Sequence, residues 1–418
     1  MIPKPLLVST YDLSGGAARA AHRLHLGLLT KGIDSTLLVQ RRTGDSEGVV
    51  GPTSRRARAL ARVRPVIDSS VLAMYPNRPG TMMSPAWLPG GASSRFRDVE
   101  YDLINLHWTV DGFLSVSGAG TIQKPIIWTL HDMWIFTGGC HYSGQCDGYR
   151  EKCGRCPQLG SSSKWDLSRL VMHQKERRWR GLDLSLVSPT EWLAEAARNS
   201  SLLSDCPITV ISNGVDTKQF RPFNREFSRE VLGLPAEKGL VAFGALNLSE
   251  RRKGATLLLD AIGKLAERIP PETVELVIFG SSKSPRREEE TIKATYLGAL
   301  NDDVGLALLF SAVDVVVVPS LYEAQSLVAV EAMACGTPCV AFRVEGLSEV
   351  INHGQNGLLA TAFDTSELAD LTAELLTNQN RRTVMAAAAR EKALREWDLG
   401  VIANRYVELF QSLITSTG

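Results

Sequence analysis

Two glutamates, Glu323 and Glu331, are separated by seven residues within VDVVVVPSLYEAQSLVAVEAMACGTPCVAF, residues 313 to 342. A carboxylate accepts two hydroxyl hydrogen bonds at once, so such a pair suits vicinal diols. Lys253, in Arg251-Arg252-Lys253-Gly254, offers a compact positive charge able to neutralise phosphate. Gly15-Gly16 follows an apolar run and opens a helical pattern, so backbone N–H groups there can approach an anion or an oxygen acceptor. His131-Asp132 places an imidazole beside a carboxylate at the end of another apolar run. Cys140, Cys146, Cys153 and Cys156 follow a C-x5-C-x6-C-x2-C spacing, which suits a tetrahedral structural zinc; packing thiols or disulfides are the plainer alternatives, and His141 is an alternative ligand.

Positioning these groups requires strands alternating with helices. Leu6 to Ser9, Ser35 to Val39, Leu103 to Leu106, Ile126 to Leu130 and Leu184 to Ser188 are strand candidates between helical patterns. A second series follows Ile208 to Ile211: Gly239 to Phe243, Val274 to Phe279, Val313 to Val318 and Pro338 to Phe342. The pattern predicts α/β architecture with parallel sheets covered on both faces. Ser326 is the predicted N-cap of a helix from Leu327 to Cys335, which Gly336 and Pro338 stop. Glu323 then lies in the loop above a strand's carboxyl end, and Glu331 about a turn into the helix. The turn chemistry of Asn213-Gly214-Val215-Asp216 suits a linker. Ile402, Tyr406, Leu409, Phe410 and Leu413 form one apolar stripe on a last helix, from about Glu396 to Ile414, which either half can cover.

A chain of 418 residues implies two domains. Its 46 Lys and Arg against 45 Asp and Glu give no general pull toward nucleic acid. The start lacks the apolar segment of a signal peptide, and no run approaches a spanning helix, so a cytoplasmic protein is expected. Arg55, Arg56, Arg58, Arg62 and Arg64, and then Lys175, Arg177, Arg178 and Arg180, form two basic patches that suit an anionic membrane surface or a merely solvated helix face.

The Glu-x7-Glu segment, with Ala334-Cys335-Gly336-Thr337-Pro338, resembles the donor motif of retaining GT-B glycosyltransferases of family 4 (glycosyltransferase group 1). The resemblance implies two doubly wound Rossmann-like domains facing a central cleft: an acceptor domain over 1–212 and a donor domain over 213–395, with helix 396–418 crossing back over both. It implies that Glu323 contacts the transferred sugar and Glu331 the ribose, with Ser326 and Leu327 at the helix start. Phe243-Gly244-Ala245 with Arg251, Arg252 and Lys253 resembles the diphosphate clamp, although Ala245 stands where the family often has Arg. Ile278-Phe279-Gly280-Ser281 resembles the strand end near the base, Gly15-Gly16 the glycine loop, and His131 the histidine near the reacting bond. Gly346 to Gly357, with Glu349 and Asn356, matches the next loop and helix, where packing is expected. The Cys-rich stretch, about 138–160, is similar to an insert of bacterial members that build capsule, exopolysaccharide or O-antigen, and its place after His131 suggests that it shapes the acceptor side.

The expected reaction uses a UDP- or GDP-sugar, retains anomeric configuration and requires no metal for catalysis. The expected acceptor is a glycan or polyprenyl-diphosphate-linked sugar, met with the enzyme peripheral on the inner membrane face. Two alternatives compete. A GT-B-type sugar-nucleotide epimerase or hydrolase shares the nucleotide site but needs an acid/base carboxylate pair, and a zinc-dependent binding module needs more net positive charge. A dinucleotide site lacks its full G-x-G-x-x-G at Ser14-Gly15-Gly16-Ala17.

Overall fold

Short Val-, Ile- and Leu-rich runs, apolar on both faces, can be buried only where helices cover a sheet from both sides. The computed structural model, which describes residues 2–244, 250–280, 291–300 and 302–416, contains two such sheets. Ala245 and Ser281 lie outside the described residues. The chain divides into two compact units, Met1–Asn213 with Ile402–Gly418, and Gly214–Val401.

The first unit holds strands β1 (Pro5–Tyr11), β2 (Thr36–Arg41), β3 (Val49–Val50), β4 (Leu103–Leu106), β5 (Ile126–Thr129), β6 (Leu184–Ser188) and β7 (Ile208–Val210). They pair in parallel in the order β3-β2-β1-β4-β5-β6-β7. The order reverses between β1 and β4, and open parallel sheets bind ligands outside their carboxyl ends at such a switch. Gly15 follows β1, and His131 follows β5.

The second unit holds β8 (Gly239–Gly244), β9 (Val274–Phe279), β10 (Ala294–Gly298), β11 (Val315–Val318), β12 (Cys339–Phe342) and β13 (Gly357–Ala360). Its parallel order is β10-β9-β8-β11-β12-β13, with the switch between β8 and β11. Gly244 ends β8, and Glu323 follows β11. The strands β3, β10 and β13 had no counterpart in the sequence pattern: β3 has two residues and β10 is half-buried throughout, while the fully buried β13 begins at Gly357, in the stretch read as a loop and helix.

The last helix, Leu399–Ser416, runs from the second unit into the first. Its Ile402, Tyr406 and Phe410 join the core built by Leu7, Leu24 and Ile127, so the first unit covers the apolar stripe. The Tyr406 hydroxyl lies 3.1 Å from Thr129 Oγ1 at the end of β5. Among the described residues, no helix is long and apolar enough to cross a membrane.

Candidate active site

β11 delivers the second unit's principal carboxylate. Val315–Val318 is fully buried, and after it the chain turns through Pro319 to Tyr322 before Glu323. Ser326 then caps the helix Leu327–Ala334, accepting from Ala329 N, as its position predicts. Glu323 and Glu331 are each only 4% exposed. A buried carboxylate must find compensating charge. Lys253 Nζ lies 2.5 Å from Glu323 Oε1, Arg252 Nη1 lies 3.3 Å from Oε2, and the Ser320 hydroxyl donates to Oε1 at 3.0 Å. Burial pushes the Glu323 carboxyl up, but Lys253 and Arg252 outweigh it and hold it below the usual carboxylate range. Of the two arginines proposed for this clamp, Arg252 reaches the carboxylate and Arg251 stands exposed on the turn.

Both cations come from one helical turn, Arg251–Lys253, which Gly254 closes in the left-handed region. A Cβ on Gly254 would stand 1.8 Å from Pro319 O, so the turn presses its backbone directly on the loop after β11. Leu321 N donates to Arg252 O at 2.8 Å, and Arg252 Nη1 donates to Tyr322 O at 3.0 Å. Gly244 leaves room for the Phe279 ring, which a Cβ would meet at 2.3 Å, and Gly280 takes φ +92° as its N–H donates to Gly298 O. Leu327, half-buried, starts the helix that carries Glu331.

Sequence reasoning missed Glu345 and assigned only packing to the loop that Gly346 opens. Glu323 N donates to Glu345 Oε2 at 2.9 Å, and Gly346 N donates to Glu323 O at 3.1 Å. Burial, with the Glu323 carboxylate nearby, pushes the Glu345 carboxyl up to about 8.

In the first unit Gly15 adopts φ +91° with open space where a side chain would stand, and the helix Gly16–Thr30 begins without a side-chain cap. His131 Nε2 lies 3.0 Å from His107 Nδ1, and the two rings stack. Burial pushes His131 down to about 4, against the opposing pull of Asp132. Asp132 Oδ2 accepts from Trp108 Nε1 at 3.1 Å and lies 2.6 Å from His141 Nδ1, while His141 Nε2 meets Ser84 Oγ at 2.9 Å. This Ser-His-Asp order has the form of a hydrolytic relay. Yet Ser84 and His141 are buried and Ser84 N is spent on Gly139 O, so the array fastens the Cys-rich segment to Asp132. A cavity lined by His107, Trp108, Trp128, His131, Asp132 and Trp134 lies at this sheet end. No spacing in the sequence ties His107 to His131; the neighbouring strands β4 and β5 do.

Cys140, Cys146, Cys153 and Cys156 are free thiols lining one cavity. Gly138 N donates to Cys153 Sγ at 3.2 Å and Gly148 N to Cys146 Sγ at 3.4 Å. Among the described residues, no three His, Cys, Asp or Glu side chains stand arranged to hold a metal ion. Lys175, expected in a surface basic patch, is instead fully buried: its ammonium meets Trp134 O and Thr137 O and lies 3.8 Å from the Trp134 ring centre. Its helix position, Leu167–Trp179, turns it inward while Arg177 and Arg178 face out.

Two parallel sheets with charged and glycine-rich loops at their switch points define a GT-B glycosyltransferase architecture. The description "Glycosyltransferase Family 4" matches residues 14–219, and "Glycosyl transferases group 1" matches 237–378. A D-inositol 3-phosphate glycosyltransferase of Xylanimonas cellulosilytica is 36% identical over 322 residues, covering 71% of this chain and 69% of the relative. One from Corynebacterium efficiens is 29% identical over 332 residues, 76% and 73% of the two chains. Sucrose-phosphate synthase from Thermosynechococcus elongatus superposes with TM-score 0.69 at 20% identity, over 99% of this chain and 100% of that one. Anabaena HepE, in complex with UDP and glucose, gives 0.64 at 20% identity over 98% and 100%. This chain belongs to glycosyltransferase family 4, group 1.

Proposed function

We propose that this glycosyltransferase moves a sugar from a nucleotide diphosphate to a neutral glycan or lipid-linked acceptor with retention at the anomeric carbon. The observation that carries the donor half is the convergence of Lys253 and Arg252 on buried Glu323 at the carboxyl end of β11. A donor diphosphate competes for both cations, and Glu323, released from them, accepts hydroxyls of the sugar; Glu331 in the following helix takes the ribose. The bond from the anomeric carbon to the phosphate oxygen breaks as the acceptor oxygen bonds the same face. The acceptor proton passes to the leaving phosphate, whose charge Lys253 and Arg252 stabilise. Structures related in fold have UDP and UDP-glucose in their complexes, which supports such a donor.

The cavity beside His131 supports a neutral acceptor: aromatic, imidazole, aliphatic and threonine side chains line it with Asp132, and no lysine or arginine does. The relatives' names favour a second reading, a phosphorylated inositol acceptor. Wild-type enzyme incubated with UDP- and GDP-sugars separates these readings through donor-dependent thermal stabilisation, then product analysis by NMR. An inverted anomeric product would overturn retention, and efficient transfer to inositol phosphate would overturn the neutral acceptor. Release of free sugar or an epimer, with no acceptor used, would favour the epimerase or hydrolase alternative.

Two accessory roles belong to the same reading. The helix Arg55–Ser69 buries only Ala61 and Asp68 and exposes Arg55, Arg56, Arg58 and Arg62 beside Leu60, Val63 and Val66. That mixture supports contact with an anionic membrane face, and equal sedimentation with anionic and neutral vesicles would dismiss it. The four thiols around one cavity support a structural zinc if their side chains turn inward, since buried Lys175 would offset part of the thiolate charge. Purified protein without bound metal would dismiss the zinc.

A further inference from the structure

We propose that Glu345 is a positioning residue for Glu323, holding its peptide so that the carboxylate meets the transferred sugar. This rests on the donor-site reading above and deepens it.

The loop from Pro319 to Glu323 follows the buried strand β11 and is held from two sides. On one side the turn Arg251–Lys253 grips it through Leu321 N, Tyr322 O and the contact at Gly254. On the other, residues 345 and 346 take both polar groups of the Glu323 main chain. Glu323 N donates to the Glu345 carboxyl at 2.9 Å, and Glu323 O accepts from Gly346 N at 3.1 Å. Gly346 has no alternative here, because a Cβ would stand 1.9 Å from Ala324 O. Glu345 does have one. Its φ is +37°, in the left-handed region where glycine is at ease and a glutamate is strained. A strained side-chain-bearing residue persists where its surroundings over-determine it, and such residues gather at functional sites. What the glutamate supplies in return is the acceptor for Glu323 N.

The consequence falls on the sugar and not on the nucleotide. Lys253 and Arg252 hold the side chain of Glu323, whereas Glu345 and Gly346 hold its backbone. With the Glu345 acceptor gone, Glu323 N is left without this partner in a half-buried setting, and the loop relaxes away from the position that aims the carboxylate. Contacts to the diphosphate through Lys253, and to the ribose through Glu331, do not depend on that aim.

The test compares Glu345→Gly, Glu345→Ala and Glu345→Gln with wild type. Calorimetry measures binding of UDP-glucose and GDP-mannose, and of UDP and GDP alone, and thermal unfolding is followed alongside. Glu345→Gly relieves the backbone and should unfold at a temperature equal to or above wild type. It should nevertheless bind the nucleotide sugar at least about tenfold more weakly, with nucleotide affinity unchanged within about twofold. Glu345→Ala should show the same selective loss, whereas Glu345→Gln keeps an acceptor of the same reach and should restore sugar-nucleotide affinity to within about threefold. Wild-type affinity for the nucleotide sugar in Glu345→Gly would overturn the inference, as would an equal loss of nucleotide alone. If wild-type protein binds neither nucleotide sugar, the donor-site reading itself falls.

Discussion

Strand β11 carries a buried acid at each end, and the two are managed differently. Asp314, just before the strand, is 2% exposed and meets Arg225, Arg229 and Arg382 at 2.5, 3.0 and 3.2 Å. Its Oδ2 also accepts from Leu240 N at 2.9 Å, and Arg229 is tied further to Ala312 O, Pro235 O and Lys238 O. Arg229 and Arg382 are tied also to main-chain carbonyls, while Arg225 reaches in from the surface with its side chain 43% exposed. Glu323, beyond the carboxyl end, meets a lysine and an arginine whose side chains remain 22% and 23% exposed, and the Ser320 hydroxyl. Those cations come from a single turn, and in the proposed donor site a diphosphate draws them away. Similar chemistry therefore fastens the sheet at one end and stays available to a ligand at the other. The difference follows from topology, because parallel sheets gather open loops at their carboxyl edge.

Breaking the Glu323 end should give the largest functional effect. Glu323→Ala and Lys253→Ala should each lower transfer by about 100-fold or more, with the midpoint of thermal unfolding moved by only a few degrees. Wild-type turnover in either variant would erase the contrast between the two ends. Breaking the other end should reverse the pattern: Asp314→Ala leaves Arg229 buried without its carboxylate and should cost about 3–5 kcal/mol in urea unfolding. Gly254→Ala lies between these extremes. Its Cβ must displace the Pro319 carbonyl, so both transfer and stability should fall, the latter by about 1–3 kcal/mol. Arg252→Ala should reduce transfer about tenfold, whereas exposed Arg251→Ala should stay within about twofold of wild type; equal effects would show that the turn acts through bulk charge.

Titration sharpens the comparison further. His131 is held down to about 4 against an ordinary value of 6.5, so the unfolded chain takes up its proton first as the pH falls. Stability is thus fully retained above about 6.5 and declines toward about 4, by at most about 3 kcal/mol from this group. Glu323 has the opposite origin, a carboxyl held below its ordinary range by cations, and its contribution is present at neutral pH and lost only as the pH drops through that lowered value. Acid unfolding of His131→Gln should lose part of the decline below 6.5, the rest coming from His107 and His25, which burial also holds below their ordinary value, while keeping the more acidic loss. An unchanged acid limb would show that the imidazole is not buried in solution as it is here.

What the sequence determined by itself was local and periodic. The valine run, Ser326, Gly336 and Pro338 specify a strand, a cap and a stop through rules that act over a few residues, and they fall where the spacing places them. The alternation of such segments was enough for two parallel sheets, because each apolar run needed cover on both faces. The very short strand β3 and the half-buried β10 escaped detection because neither carries a full apolar period. Tertiary structure alone decided partners. Which arginine meets Glu323, that Glu345 receives its N–H from 22 residues away, and that His107 lies against His131 all depend on strands brought side by side. The same holds for Lys175, whose charge suggested the surface until its helix turned it inward. Spacing along a chain records which face of an element a residue occupies; only the register between elements sets what that face touches.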